Sequence, residues 1–213
     1  MTTLAELLSS DYPRDLARAM VVNFRIAGLS LAMGLALGLP LAFAIASGRV
    51  GRRIAAPLMA VMRAAPTFVV MFFLLNVVPQ DFMIGPFYIA PSGAMIVALS
   101  LVPYAASYVA DNGADALISL RRGAPEGALL FLPNIVRAFL VLVMSSSTGA
   151  AIGVNEGVAV VLREADRWAD LGDKMVVFAI GVAAFGVIFQ AGFALMRPAV
   201  AWLGRRHGAG ARN

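Results

Sequence analysis

The sequence predicts an all-α integral membrane protein with about five transmembrane helices. Of its 213 residues, 61% are hydrophobic and 14% are charged, whereas charged residues make up about 25% of an ordinary soluble domain. Five uncharged runs are long enough to cross a bilayer as helices, which takes roughly 17–25 mainly apolar residues. These runs are Ile26–Ser47, Ala64–Gln80, Phe82–Ala110, Ala138–Asn155 and Met175–Met196.

The positions of the basic residues predict that the N-terminus is outside and the C-terminus inside. Basic residues in short loops favour the cytoplasmic side of a membrane. With this orientation the inner bases outnumber the outer ones. The inner bases are Arg49, Arg52, Arg53, Arg121, Arg122, Arg205, Arg206 and Arg212, and the outer bases are Arg14, Arg18, Arg163, Arg167 and Lys174. We interpret these arginines as topology anchors and contacts to membrane lipid. The net charge of +5 therefore does not indicate a nucleic-acid partner.

Three segments are expected along the chain. Residues 1–22 form an N-terminal interfacial segment, since their leucines are spaced as in an amphipathic helix, with a break at Asp11–Pro13. We expect this segment to lie on the outer membrane surface. Residues 23–205 form the transmembrane domain, and residues 206–213 form a cytoplasmic tail.

Local patterns predict three features of the bundle. Gly34 and Gly38 stand one turn apart in the first span, where a second helix could approach closely, although glycine is also simply common in membrane helices. Arg63–Thr67 contains Pro66 and predicts an inner elbow before the second span. Apolar residues at helical spacing in the outer loop 155–174 predict a surface helix there.

The residue types that support catalysis are scarce. His207 is the only histidine and there is no cysteine, so neither a histidine-based triad nor a Cys/His metal site can be built within this chain. Lys174, the only lysine, lies outside any Gly-x-x-x-x-Gly-Lys-Ser/Thr motif for binding nucleotide phosphates. The sequence predicts a non-enzymatic chain without a cofactor of its own. If ATP drives it, another chain binds the ATP.

Four segments resemble, in order, the motifs of one family. Arg63–Phe73 is similar to Arg-Gly-Thr-Pro-Leu-Leu-Val-Gln-Leu-Phe-Phe, and Ala98–Ala110 is similar to Leu-Ser-aromatic-Ala-Tyr-x-Ala-Glu. Ala114–Ala128 resembles Arg-Gly-Gly-Ile-Gln-Ser-Ile-Pro-x-Gly-Gln-x-Glu-Ala-Ala, and Ser145–Val154 resembles Lys-Asp-Thr-Ser-Leu-x-Ser-Val-Ile-Gly-Val. The chain thus resembles, over about residues 20–205, the polar amino-acid permeases of binding-protein-dependent ABC importers.

This resemblance implies a type I ABC importer permease fold in a bacterial inner membrane. It implies import of amino acids or similar small polar solutes by alternating access. The implied partners are an ATP-binding subunit that holds ATP and Mg²⁺, a second permease subunit in a homo- or heterodimer, and an extracytoplasmic solute-binding protein. The alternative is a permease-derived scaffold or regulatory subunit that is not itself coupled to ATP.

The resemblance also implies an ATPase-coupling loop on the inner side. Its residues are Arg121, Arg122, Gly123, Glu126, Gly127 and Ala128. In the family, a cytoplasmic helix follows the Glu-Ala-Ala motif and docks on the ATPase. Here a Leu-Pro pair follows so soon that the five positions 126–130 make little more than one helical turn. The sequence therefore predicts a shortened coupling loop, as in the less active half of a heterodimer.

Polar residues in the apolar runs are candidates for the substrate pathway. They are Asn76, Ser107, Arg137, Ser145, Ser146, Ser147 and Thr148. For the hydroxyl residues the alternative is interhelical packing with hydrogen bonds to their own helix. For Arg137 the alternatives are contact with an anionic substrate group or a guanidinium that extends to the membrane interface.

Overall fold

The computed structural model describes residues 2–79, 81–84 and 86–208, and it is helical apart from one short hairpin. The elements are α1 Thr2–Ser9, α2 Tyr12–Ala46, α3 Arg49–Ala64, α4 Thr67–Val77, β1 Phe82–Ile84, β2 Phe87–Ile89, α5 Gly93–Arg121, α6 Pro125–Leu129, α7 Phe131–Ser145, a 3₁₀ helix Ser146–Ile152, α8 Gly157–Ala165 and α9 Leu171–Gly208. β1 and β2 pair antiparallel.

Among the described residues, four helices are long and apolar enough to cross a membrane, and a bent pair brings the number to five. The four are Tyr12–Ala46, Gly93–Arg121, Gly127–Ile152 and Leu171–Ala194. The pair is α3 with α4, which meet at 91°. α4 has 11 residues and rises about 16 Å, about half of the ~30 Å hydrocarbon core, so it crosses only together with α3. The all-α fold with about five spans is confirmed.

The structure also confirms the elbow and corrects the bounds of several spans. The bend between α3 and α4 falls at Ala65 and Pro66, where the backbone is extended because a proline disfavours helical geometry in the residue before it. The third predicted run begins in the hairpin, and its helix begins after Ser92, whose hydroxyl accepts a hydrogen bond from the Met95 N–H. The fourth span begins at Gly127, well before the predicted residue 138. The predicted run could begin only after the charged Arg137, whereas the helix continues through this residue.

The N-terminal segment divides at the predicted break. α1 ends at Ser9, and α2 begins at Tyr12 and continues without interruption through residue 22 into the first span. Pro13 lies in the first turn of α2. Backbone N–H groups in a first turn have no acceptor within the helix, so a proline there costs no hydrogen bond. Residues 12–22 therefore belong to the same continuous helix as the first span.

α2 packs along α5 through the two glycines. A Cβ added at Gly34 would lie 2.5 Å from the Ala105 Cβ, and one added at Gly38 would lie 2.6 Å from the Ala106 carbonyl oxygen. Both distances are shorter than any real Cβ contact. The close approach predicted for this glycine face is confirmed, and α5 is the helix that uses it.

Two apolar cores hold the bundle together. The larger one joins α2, α4, α5 and α7, and its buried residues include Ile26, Met71, Leu101, Leu142 and Val143. The second joins α1, α2, α8 and α9, and its buried residues include Leu7, Leu16, Met20, Val160 and Val177. The short helices α1 and α8 are thus part of the packed structure at the N-terminal end of α2.

Candidate functional site

The predicted coupling loop forms a tight return from α5 to α7. The Arg122 N–H donates to the Ile118 carbonyl oxygen at 3.1 Å, and the Ala124 N–H donates to the Ser119 carbonyl oxygen at 3.0 Å. Gly123 has φ +74°, the left-handed conformation that commonly ends helices. The five-residue α6 follows, and α7 begins at Phe131. The loop therefore contains little more than one helical turn, as the sequence predicts.

α6 lies directly against the last turns of α5. A Cβ at Gly127 would be 2.6 Å from the Ser119 hydroxyl oxygen and 2.9 Å from its Cβ. A side chain at this position would push α6 away from α5. The glycine in Glu126-Gly127-Ala128 therefore permits a close contact within the chain, and α6 does not project as a separate docking helix.

The arginines of the loop have different surroundings. The Arg121 guanidinium donates to the carbonyl oxygen of Ala46, the last residue of α2, where a helix carries partial negative charge. Arg121 therefore connects the C-terminal ends of α2 and α5. Arg122 is exposed and has no hydrogen bond or ion pair through its side chain within the described residues. Glu126 lies in α6, and its side chain falls outside the described part of the structure.

An apolar surface surrounds this loop. Leu120, Leu130 and Leu132 are 52%, 56% and 60% exposed. They lie at the end of α5 and the beginning of α7, on either side of α6. Together with Arg122 they form an exposed surface at the predicted inner end of the bundle, here called the inner surface patch.

A charged cavity of 210 Å³ lies between α3 and α5, near the same end. Its walls include Arg52, Arg63, Asp111 and Asp115. The Arg63 guanidinium and the Asp111 carboxylate are 2.9 Å apart, with 54% and 44% of their side chains exposed. Such an exposed pair stabilises a protein by only about 0–1 kcal/mol. It does, however, connect the elbow before α4 to the C-terminal half of α5.

A buried polar cluster lies near the opposite end of α2. The side-chain amide nitrogen of Asn23 donates to the Ser146 hydroxyl at 2.9 Å and to the Glu156 carboxylate at 2.8 Å. The Asn23 amide oxygen accepts from the Gly157 N–H at 3.0 Å. Asn23, Ser146 and Glu156 are each 0% exposed. This Asn23 cluster fastens α2 to the end of α7 and to the start of α8.

Glu156 is also the N-cap of α8. Its carboxylate accepts from the Val158 N–H at 3.0 Å and the Ala159 N–H at 2.9 Å. Two unpaired backbone donors and the positive end of a helix therefore stabilise the buried carboxylate. With the Asn23 amide, these donors provide the polar environment that a buried acidic group requires.

The structure distributes the predicted pathway residues along several helices. Ser146 and Ser147 both lie beside Asn23, at 2.9 Å and 3.4 Å from its amide nitrogen. Four of the seven donate to a backbone carbonyl three or four residues earlier: Asn76 to Phe72, Ser107 to Tyr104, Ser146 to Val143 and Thr148 to Ser145. Ser145 is half-buried and Arg137 is exposed on α7. Within the described residues, no contact joins Asn76, Ser107 or Arg137 to the Asn23 cluster.

The sequence reasoning missed Asn23 and Glu156. Asn23 lies three positions before the first uncharged run, and Glu156 precedes an apolar helical pattern that begins at Val158. An acidic residue directly before a helix indicates an N-cap role. The partnership between two residues separated by 133 positions depends on the tertiary fold, and the local pattern of neither segment contains it.

Comparisons with known proteins support the fold. Neither a protein-family model nor a curated protein sequence matches the chain. Two solved structures do match. One is an amino acid ABC transporter crystallised with histidines, with a TM-score of 0.65, 15% identity, and coverage of 92% of this chain and 95% of that one.

The other is the inward-facing MetNI methionine ABC transporter, with a TM-score of 0.62 and 18% identity. This match covers 90% of this chain and 99% of that one. At these low identities, the TM-scores of 0.65 and 0.62 establish a shared fold and nothing further. The chain therefore has the all-helical membrane fold of ABC transporter permeases.

Proposed function

We propose that the chain is the membrane-spanning permease subunit of an ABC importer. The observation that carries this proposal is the fold match, which covers 92% of this chain and 95% of a chain from an amino acid ABC transporter. The match extends over nearly the full length of both chains. The four sequence segments that resemble permease motifs add support, because they occur in the family's order.

The proposed substrate is an amino acid or a similar small polar solute. The neighbours in the comparison are transporters named for amino acids and for methionine, and the sequence resemblance is to polar amino-acid permeases. The proposed location is a bacterial inner membrane. The proposed partners are an ATP-binding subunit with ATP and Mg²⁺, a second permease subunit and an extracytoplasmic solute-binding protein. Substrate would cross between two permease subunits by alternating access.

We place the contact with the ATP-binding subunit on the inner surface patch. The three leucines of this patch are exposed next to α6, and Arg122 adds a positive charge with no partner among the described residues. Exposed apolar side chains beside a charged residue are typical of protein–protein interfaces. Because α6 has only five residues, this contact would be smaller than one made by a projecting helix. A heterodimer, in which the second permease has the longer loop, fits this geometry.

The second candidate function is a membrane scaffold or regulatory subunit that descends from such permeases. One observation favours it: α6 is short, and its glycine is packed against Ser119. A helix held against its own chain is poorly placed to transmit movement from an ATPase. The two candidates differ in whether ATP hydrolysis depends on the inner surface patch.

Isolation of the complex from native membranes tests the proposal. The tagged chain is purified in nanodiscs, and ATP hydrolysis is measured with amino acids and with the proposed extracytoplasmic solute-binding protein. We expect substrate-stimulated hydrolysis in the wild type. Leu120→Gln with Leu130→Gln should abolish the copurified activity, because it removes two of the three leucines of the patch.

Leu8→Gln is the matched control, since Leu8 is 60% exposed on α1, at the opposite end of the bundle. It should leave hydrolysis unchanged. A wild-type chain that copurifies with no ATPase activity would contradict the permease proposal and favour the scaffold. Amino-acid uptake into proteoliposomes containing the assembled complex then tests the substrate class.

A further inference from the structure

A second charged cavity, of 470 Å³, lies at the predicted outer end of the bundle and has no part in the proposed coupling. Two helix faces form it. α2 contributes Tyr12, Asp15 and Arg18, which are spaced three residues apart, and the segment from α8 to the turn after it contributes Arg163, Glu164 and Arg167. Pockets that bind small molecules or headgroups have volumes of about 300–1,000 Å³. The cavity is therefore large enough for a small ligand.

The charges around the cavity leave unpaired guanidinium groups. Arg167 pairs with Glu164 at 2.9 Å, and Arg163 donates to the side-chain oxygen of the uncharged Asn155. In the part of the chain that the structure describes, Arg18 and Arg163 have no carboxylate partner. The lining thus contains three guanidinium groups and two carboxylates, an excess of positive charge.

Two buried donors beside these arginines have no acceptor. The Tyr12 hydroxyl has no hydrogen-bond partner among the described residues, although Tyr12 is only 4% exposed and lines the cavity. The Trp168 indole N–H also has no hydrogen-bond partner among the described residues. It lies in an adjoining cavity of 310 Å³, which shares Glu164 and Arg167 with the first. Buried donors without partners are rare in folded proteins. Since the guanidinium groups of the lining can only donate, a ligand of this cavity has to supply acceptor atoms, and one of them can also accept from the Tyr12 hydroxyl.

We infer that this cavity binds an oxyanion, held by Arg18, Arg163 and the Tyr12 hydroxyl. Guanidinium groups bind phosphate and carboxylate oxygens with two parallel hydrogen bonds, and a tyrosine hydroxyl can add a third donor. The oxyanion can come from an anionic phospholipid headgroup or from a free solute, and the chemistry of recognition is the same. This inference concerns the outer end of the chain and does not depend on ATP-driven transport.

Binding of two probes by the full chain distinguishes the two sources. Native mass spectrometry measures phosphatidylglycerol retained after detergent extraction, and titration calorimetry in phosphatidylcholine nanodiscs measures inorganic phosphate. We expect one of the probes to bind with one molecule per chain. Arg18→Gln and Arg163→Gln should each weaken that binding about tenfold or more, since each removes a charged hydrogen bond.

Arg14→Gln is the matched control, because Arg14 is exposed on the same helix and does not line the cavity. It should bind the probe as the wild type does. Tyr12→Phe separates ligand binding from a purely structural role. We expect it to weaken binding severalfold without lowering the melting temperature, because it removes a buried donor that has no partner.

Retention of phosphatidylglycerol that the arginine variants lose identifies a lipid site. Binding of phosphate that they lose identifies a solute site. Absence of both, or equal loss in Arg14→Gln, would overturn the inference.

Discussion

At the scale of single residues, burial separates the polar groups that hold the bundle from those that do not. Glu156 is fully buried and accepts hydrogen bonds from the Asn23 amide and two backbone N–H groups. Removal of a buried group leaves its partners unsatisfied, which costs more than the net value of the bonds themselves. The pair Arg63–Asp111 is about half exposed, so the protein encloses its charges only in part. The two sites should therefore respond differently to substitution.

Glu156→Ala should destabilise the chain by about 2–4 kcal/mol, since it removes an N-cap and leaves the Asn23 amide without its charged acceptor. Thermal unfolding in detergent micelles measures the effect. Asp166→Ala is the control: Asp166 is an exposed acidic residue at the other end of α8, and its replacement should change stability by less than about 0.5 kcal/mol. Equal effects of both substitutions would show that the Asn23 cluster does not stabilise the fold.

Asp111→Asn should lower stability by at most about 1 kcal/mol, because the ion pair is roughly half exposed. We expect the substitution to loosen the connection between the elbow and α5 more than it lowers the stability of the chain. The same melting experiment checks stability, and Asp115→Asn serves as the control, since Asp115 lines the same cavity without forming a described ion pair. A loss of several kcal/mol at Asp111 would mean that the pair is shielded from water in the membrane.

At the scale of elements, the close packing of α2 on α5 depends on small residues. Gly38→Val should destabilise the bundle by about 1–3 kcal/mol, because the added atoms overlap the Ala106 carbonyl and Val109. Gly28→Val is the matched control on the same helix, where an added Cβ meets nothing within 4 Å. The melting temperatures of the two variants measure this difference in stability. A Gly38 variant as stable as the Gly28 variant would show that the helices can separate at little cost.

Elements with a local chemical signal were predictable, and those that depend on tertiary contacts were not. Pro66 indicated the elbow, and the glycine spacing indicated a close helix contact, although it did not identify α5 as the partner. The shortened α6 followed from the early Leu132-Pro133 pair. The hairpin 82–89 was interpreted as part of a span, since its residues are as apolar as those of a membrane helix. Short apolar runs do not distinguish strand from helix by composition alone.

At the scale of the whole molecule, successive crossings must alternate in direction. The Arg121–Ala46 contact places the C-terminal ends of α2 and α5 together, and the Asn23 cluster places the start of α8 near the other end of α2. The predicted inner and outer loops therefore lie at opposite ends of the bundle. Alternation of the crossings predicts this arrangement, and the basic residues of the short loops separately predict which end is inside. The Asn23–Glu156 pairing could not be predicted, since it joins segments 133 residues apart.

The orientation in the membrane can be tested directly by cysteine labelling. The chain contains no cysteine, so a single introduced cysteine is its only labelled position. With the N-terminus outside, a membrane-impermeant maleimide should label Asp81→Cys and Asp166→Cys in intact spheroplasts. Arg49→Cys and Arg122→Cys should react only after permeabilisation, and the unmodified chain should not react at all. The reverse pattern would place the inner surface patch outside the cell, where no ATP-binding subunit could reach it, and the permease proposal would fail with the predicted orientation.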